Sequence, residues 1–126
     1  LAKAEKVAMA CTELLENAIK YGAENSDENT MNLHLKGDKN QILIEVKNQI
    51  DASQMDRIRI LDDTIQWIRG YQNPFEAYTE SLRNVSRSAG DFSRMGMVRM
   101  AYEAGAILDF FLNEKDQISI SATIIF

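Results

Sequence analysis

Glu13, Asn17 and Lys20 are spaced four and three residues apart in the run CTELLENAIKYG, residues 11–22. On a helix that spacing sets all three side chains along one face. They offer a carboxylate, an amide and an amine, a set suited to a metal ion and phosphate. An amide oxygen is a fair hard ligand for Mg²⁺, which keeps most of its waters and takes further oxygens from phosphate. A carboxylate one turn away can accept the proton of an attacking hydroxyl or water. A plain solvated helix face accounts for the same three residues, so on this run alone both readings stand open.

The element that must position them is a helix over residues 2–21, with Gly22 where a left-handed stop is expected. Val7, Cys11, Leu15 and Ala18, flanked by Leu14, form its expected apolar side, and Glu13, Glu16, Asn17 and Lys20 its polar side. Residues 23–30 are polar and loop-like. MNLHLK, residues 31–36, alternates and predicts a strand with Met31, Leu33 and Leu35 inward. A turn at GDKN leads into QILIEVKN, residues 41–48, to complete a hairpin.

Residues 53–69 predict a helix with Met55, Ile58, Leu61, Ile65 and Ile68 on one stripe, and Ile60 with Trp67 beside it. Asn73-Pro74-Phe75-Glu76 supplies a cap, a first-turn proline and a Glu three residues after the cap. The helix that follows runs to about Ala89, with Phe75, Tyr78, Leu82 and Val85 at heptad spacing. These two apolar stripes can pair as a helical hairpin or complete the core. A last helix over 95–104 precedes strands at 106–112 and 117–126 around the turn NEKD. The order α-β-β-α-α-α-β-β predicts an α+β, two-layer sandwich: helices on one face of a mixed, mainly antiparallel sheet. One domain spans 1–126, with a helical insertion at about 53–90.

Glu13-Leu14-Leu15-Glu16-Asn17-Ala18-Ile19-Lys20-Tyr21 resembles the N-box of the Bergerat-fold (GHKL) ATP-binding family. Histidine kinases, gyrase-type ATPases and the small anti-sigma serine kinases belong to that family. The resemblance implies ATP and Mg²⁺ as cofactors, with Asn17 holding the metal and Glu13 acting as general base. It also implies contacts from Lys20 and Tyr21 to phosphate or ribose. The second strand ends in IEVKNQIDA, which sets Asn48 where the family has its adenine-reading Asp. Further on, SRMGMVRMAYEAGAILDF supplies Gly96 in the phosphate-loop position and then Ala104-Gly105 ahead of a strand. Three pieces in family order, on the expected element types, cover nearly the whole chain.

The same alignment shows departures. Ile50 and Ala52 stand where the family has glycines, and Arg94 replaces the first glycine of the second motif. A branched Ile50 is expected to occupy part of the adenine pocket, where glycine lets backbone approach the base. Arg94 supplies a positive charge at the phosphates or blocks their entry. Two functions follow from the resemblance. One is an ATP-binding domain of a bacterial signalling protein, an ATP-dependent protein kinase acting on a serine, threonine or histidine phosphoacceptor. The other is a non-catalytic interaction module that keeps the fold without ATP. It would act through the central hairpin on a protein partner or a second copy in a homodimer.

Totals bound these readings. With 126 residues, net charge −5 and pI about 4.9, the acidic balance disfavours nucleic acid as a main partner, since phosphate binding needs clustered Lys and Arg. No apolar run approaches the roughly 18 residues of a membrane span. The single Cys11 cannot form an internal disulfide, which suits a reducing cytoplasm. It sits on the apolar side and reads as a small core residue. Leu1 in place of Met suggests that an N-terminal element precedes it. His34, the one histidine, alternates outward with Asn32 and Lys36, so no Ser-His-Asp set or His-Cys metal cluster is expected. Ser86, Ser88 and Ser93 lie among Arg83, Arg87 and Arg94, a local basic cluster read as solvated loop.

Overall fold

Alternating apolar residues build a four-stranded sheet in the computed structural model, which describes residues 2–21, 31–50, 55–85 and 92–126. The strands are β1 (Asn32–Gly37), β2 (Gln41–Gln49), β3 (Ala106–Leu112) and β4 (Gln117–Ile125), in spatial order β1-β2-β4-β3. All three pairings are antiparallel, in line with the mainly antiparallel sheet expected, and no parallel pair occurs among the described strands. Its buried face carries Ile44, Val46 and Asn48 of β2, Ile118, Ile120, Ala122 and Ile124 of β4, and Ala106 and Leu108 of β3. Period-two alternation turns these side chains to one side.

Among the described residues, four helices lie on that side: α1 (Lys3–Tyr21), α2 (Met55–Arg69), α3 (Pro74–Val85) and α4 (Phe92–Glu103). α1 lies on β2 and β4, and α4 packs beside it and over β3. α2 rests on α4 and β3, while α3 runs along α4. The result is the expected α+β sandwich of two layers. Residues 53–54 and 86–90 of the expected insertion lie outside the described residues.

Local chemistry explains the boundaries. The Asn73 side chain accepts a hydrogen bond from the Phe75 amide at 3.0 Å, and its carbonyl accepts one from Glu76, which caps α3 around Pro74. In the β1–β2 turn, Asp38 Oδ1 accepts from the amides of Asn40 and Gln41. Gly105 ends α4 at φ 64°, a left-handed stop that glycine adopts at no steric cost.

Three faces differ from expectation. α1 is rotated by about a fifth of a turn, so its buried stripe is Ala10, Leu14, Asn17 and Ala18, while Cys11 and Leu15 are only half-buried. α3 buries Ala77 and Ser81 against α4 and leaves Phe75 and Leu82 exposed, so the heptad stripe does not pair with α2. Small side chains allow the two axes to approach closely, and the aromatic rings move to the rim. There Phe75 and Tyr78 lie 5.3 and 4.9 Å from Tyr102, centroid to centroid. Lastly, Leu33 and Leu35 share the face of Val46 and Ile44 yet stay exposed, because β1 is an edge strand and α1 packs chiefly on β2 and β4.

Candidate functional site

Ala10, Leu14 and Ala18 are fully buried, and seating them turns the line Glu13–Asn17 away from solvent and onto α4. The polar line is therefore not a free helix face. Asn17 is 2% exposed, and its Nδ2 donates to Met97 Sδ at 3.5 Å, a weak bond. One turn earlier, the Glu13 side chain is 15% exposed, with Oε1 3.7 Å from Arg99 Nη1. Its other carboxylate oxygen occupies the space that a Cβ on Gly96 would take. Arg99 in turn points Nε at Glu103 Oε2, 3.3 Å away.

Asn48 enters from β2, at the buried end of the alternating run Ile44-x-Val46-x-Asn48. It is 2% exposed, and its Nδ2 donates to the Ala18 carbonyl at 3.0 Å. That carbonyl belongs to the residue after Asn17, so two motifs 30 residues apart meet in space. Asn48 Oδ1 is buried and has no partner among the described residues. Leaving such an acceptor unmet costs about 1–3 kcal/mol.

Two residues behind it, Ile50 is 3% exposed, and its amide donates to the Asp116 carbonyl at 2.9 Å in the β3–β4 turn. Its side chain belongs to the core cluster, at the position where the resembled family has glycine.

Gly96 is the fifth residue of α4, which begins at Phe92, three residues before the expected start. A fifth residue has its amide committed to the carbonyl four back. Gly96 therefore meets Glu13 through its missing side chain instead of presenting a loop amide. Lys20 and Tyr21 lie in the last turn of α1 and Arg94 in the first of α4, but their side chains fall outside the described residues.

Sequence reasoning missed Arg99 and Glu103. Their four-residue spacing on a helix was visible, but nothing local announced that Arg99 also reaches Glu13 on α1. The remaining candidates resolve simply. His34 is exposed opposite Glu45 on the outer face of the sheet. Burial pushes the Cys11 thiol above its ordinary 9.0, as suits a packing residue and not a nucleophile.

Among the described residues, no three His, Cys, Asp or Glu side chains gather to hold a metal. A divalent ion here would take its oxygens from the Asn17 amide and from phosphate, a donor set that fits Mg²⁺. A separate open hollow of about 600 Å³, lined by Val7, Leu35, Ile42 and Phe126, lies at the other end of α1. Among the described residues, no helix is long and apolar enough to cross a membrane. No family model matches the chain, and no curated protein matches it.

Proposed function

We propose that this chain is a Bergerat-type nucleotide-binding domain of a bacterial signalling protein, similar to the anti-sigma serine kinases or the catalytic domains of histidine kinases. The observation that carries this reading is Asn48. It is buried, tied by its nitrogen to the carbonyl beside Asn17, and its oxygen has no partner among the described residues. In this reading Asn48 accepts from the amino group of adenine, and Asn17 offers its amide oxygen to Mg²⁺. Glu13 removes the proton of the attacking hydroxyl, and Lys20 with Arg94 offsets phosphate charge. Mg²⁺ held by Asn17 would supply positive charge to offset the negative charge of the phosphoryl group. The chain's own residues orient the base, the metal and the nucleophile.

A second reading is a protein-interaction module that keeps the fold and has lost the nucleotide. Ile50 favours it, since a buried isoleucine holds the position at which the family brings backbone close to the base. Its partner would be another protein or a second copy.

Thermal unfolding in the presence of Mg-ATP, Mg-ADP and EDTA-treated ATP separates the two. Ligand at 100 times its dissociation constant stabilises a bound fold by about 2.7 kcal/mol. The nucleotide reading predicts a rising Tm with Mg-ATP, reduced when EDTA removes the ion. An unchanged Tm at millimolar Mg-ATP leaves the interaction module.

A further inference from the structure

Glu13 is held in a way the nucleotide motifs do not account for. Its carboxylate lies in the notch left by the absent side chain of Gly96, and a Cβ built there would run into Oε2. Arg99, one turn along α4, faces Oε1 at 3.7 Å. Glu103, one turn further, faces Arg99 Nε at 3.3 Å and fixes the guanidinium from behind. The Glu13 side chain is 15% exposed and that of Glu103 27%, so both acids are sheltered and Arg99 bridges them. The bridge joins α1 to α4 across the interface where Asn17 meets Met97.

We propose that Gly96, Arg99 and Glu103 form a seat that positions the Glu13 carboxylate. Gly96 then serves the acid by leaving room for it, and Arg99 is a positioning residue that acts through Glu13. The catalytic consequence rests on the nucleotide reading above, but the seat itself does not.

The chemistry that follows is specific. A carboxylate wedged between a helix backbone and a guanidinium loses the rotamer freedom that an exposed Glu keeps. A base held in place needs no reorganisation when the hydroxyl arrives, which is where positioning raises kcat and leaves KM alone. Lysine at 99 keeps the charge and much of the reach of arginine, though it gives up the planar fork.

The test is a cycle of Gly96→Ala, Glu13→Ala and the double variant, with thermal unfolding as the common readout. Alanine in place of glycine inside a helix raises Tm by roughly 3–5 °C when nothing opposes it. The atom in the way is the tip of a flexible side chain, so Gly96→Ala displaces the acid without unfolding the protein. The seat predicts that Gly96→Ala raises Tm in the Glu13→Ala background and fails to do so in the wild-type background. Equal effects in both backgrounds overturn the seat, whether or not nucleotide binds.

The second arm measures Mg-ATP hydrolysis. Arg99→Gln lowers kcat at least tenfold with KM within twofold, and Arg99→Lys recovers most of it. A parallel rise in KM, or no recovery by lysine, overturns the positioning role. Absence of turnover together with absence of Mg-ATP binding in the wild type refutes the nucleotide reading and with it the catalytic consequence. The Tm cycle then decides the seat by itself.

Discussion

Asn48 divides its amide between two tasks, and its replacement by aspartate separates them. The nitrogen is used, donating to the Ala18 carbonyl, while the oxygen is buried with no partner among the described residues. Asn48→Asp removes the donor and sets a carboxylate against that carbonyl. Without nucleotide it should cost about 1–3 kcal/mol, read as a lower Tm. With Mg-ATP the ionised acceptor makes a charge-assisted bond to the adenine amino group, roughly twice as strong as a neutral one. The Tm gained on adding Mg-ATP should therefore be larger in Asn48→Asp than in the wild type. An equal or smaller gain argues against adenine at this oxygen. At this scale the sequence shows Glu13 and Asn17 by their spacing, because helical period is local information. It hides Arg99, because a contact between α1 and α4 depends on how two faces dock.

The elements were legible where hydrophobicity sets the face and illegible where size does. α2 is the clear case: Ile58, Leu61, Ile65 and Ile68 of the expected stripe are buried, though Met55 at its start is exposed, and Ile60 beside it is exposed. Leu61→Ala should cost about 2–5 kcal/mol in denaturant unfolding. Ile60→Ala should stay within about 0.5 kcal/mol. Similar losses at both sites would mean that α2 sits differently on α4. α3 shows the opposite lesson. Its large residues Phe75 and Leu82 looked like a seam, yet Ala77 and Ser81 make the close contact. α1 deceived in a third way. Counting Asn17 as polar placed it outside the core stripe, although it lies between Leu14 and Ala18 on the buried face. A buried amide cannot be told from a solvated one by residue type, and the site is where the pattern and the packing disagree.

At the scale of the whole molecule, the succession of elements and the two-layer arrangement were readable from alternation, caps and turn residues. Strand order was not, because β4 inserts between β2 and β3 and no local signal encodes that neighbour. The insertion brings the β3–β4 turn to the end of β2, where Asp116 takes the Ile50 amide and Lys115 the Gln49 side chain. It thereby fixes the stretch that carries Asn48, while α1 lies across the same strands and presents Asn17. The central claim is that these two amides share one nucleotide. Side-chain NH₂ resonances of Asn17 and Asn48, assigned through Asn17→Ala and Asn48→Ala, can be followed by NMR during titration with Mg-ATP. Both resonances should shift together along one binding curve, and Mg²⁺ alone should leave Asn48 unmoved. Two stationary resonances at millimolar Mg-ATP, or shifts confined to residues far from both, would contradict the claim.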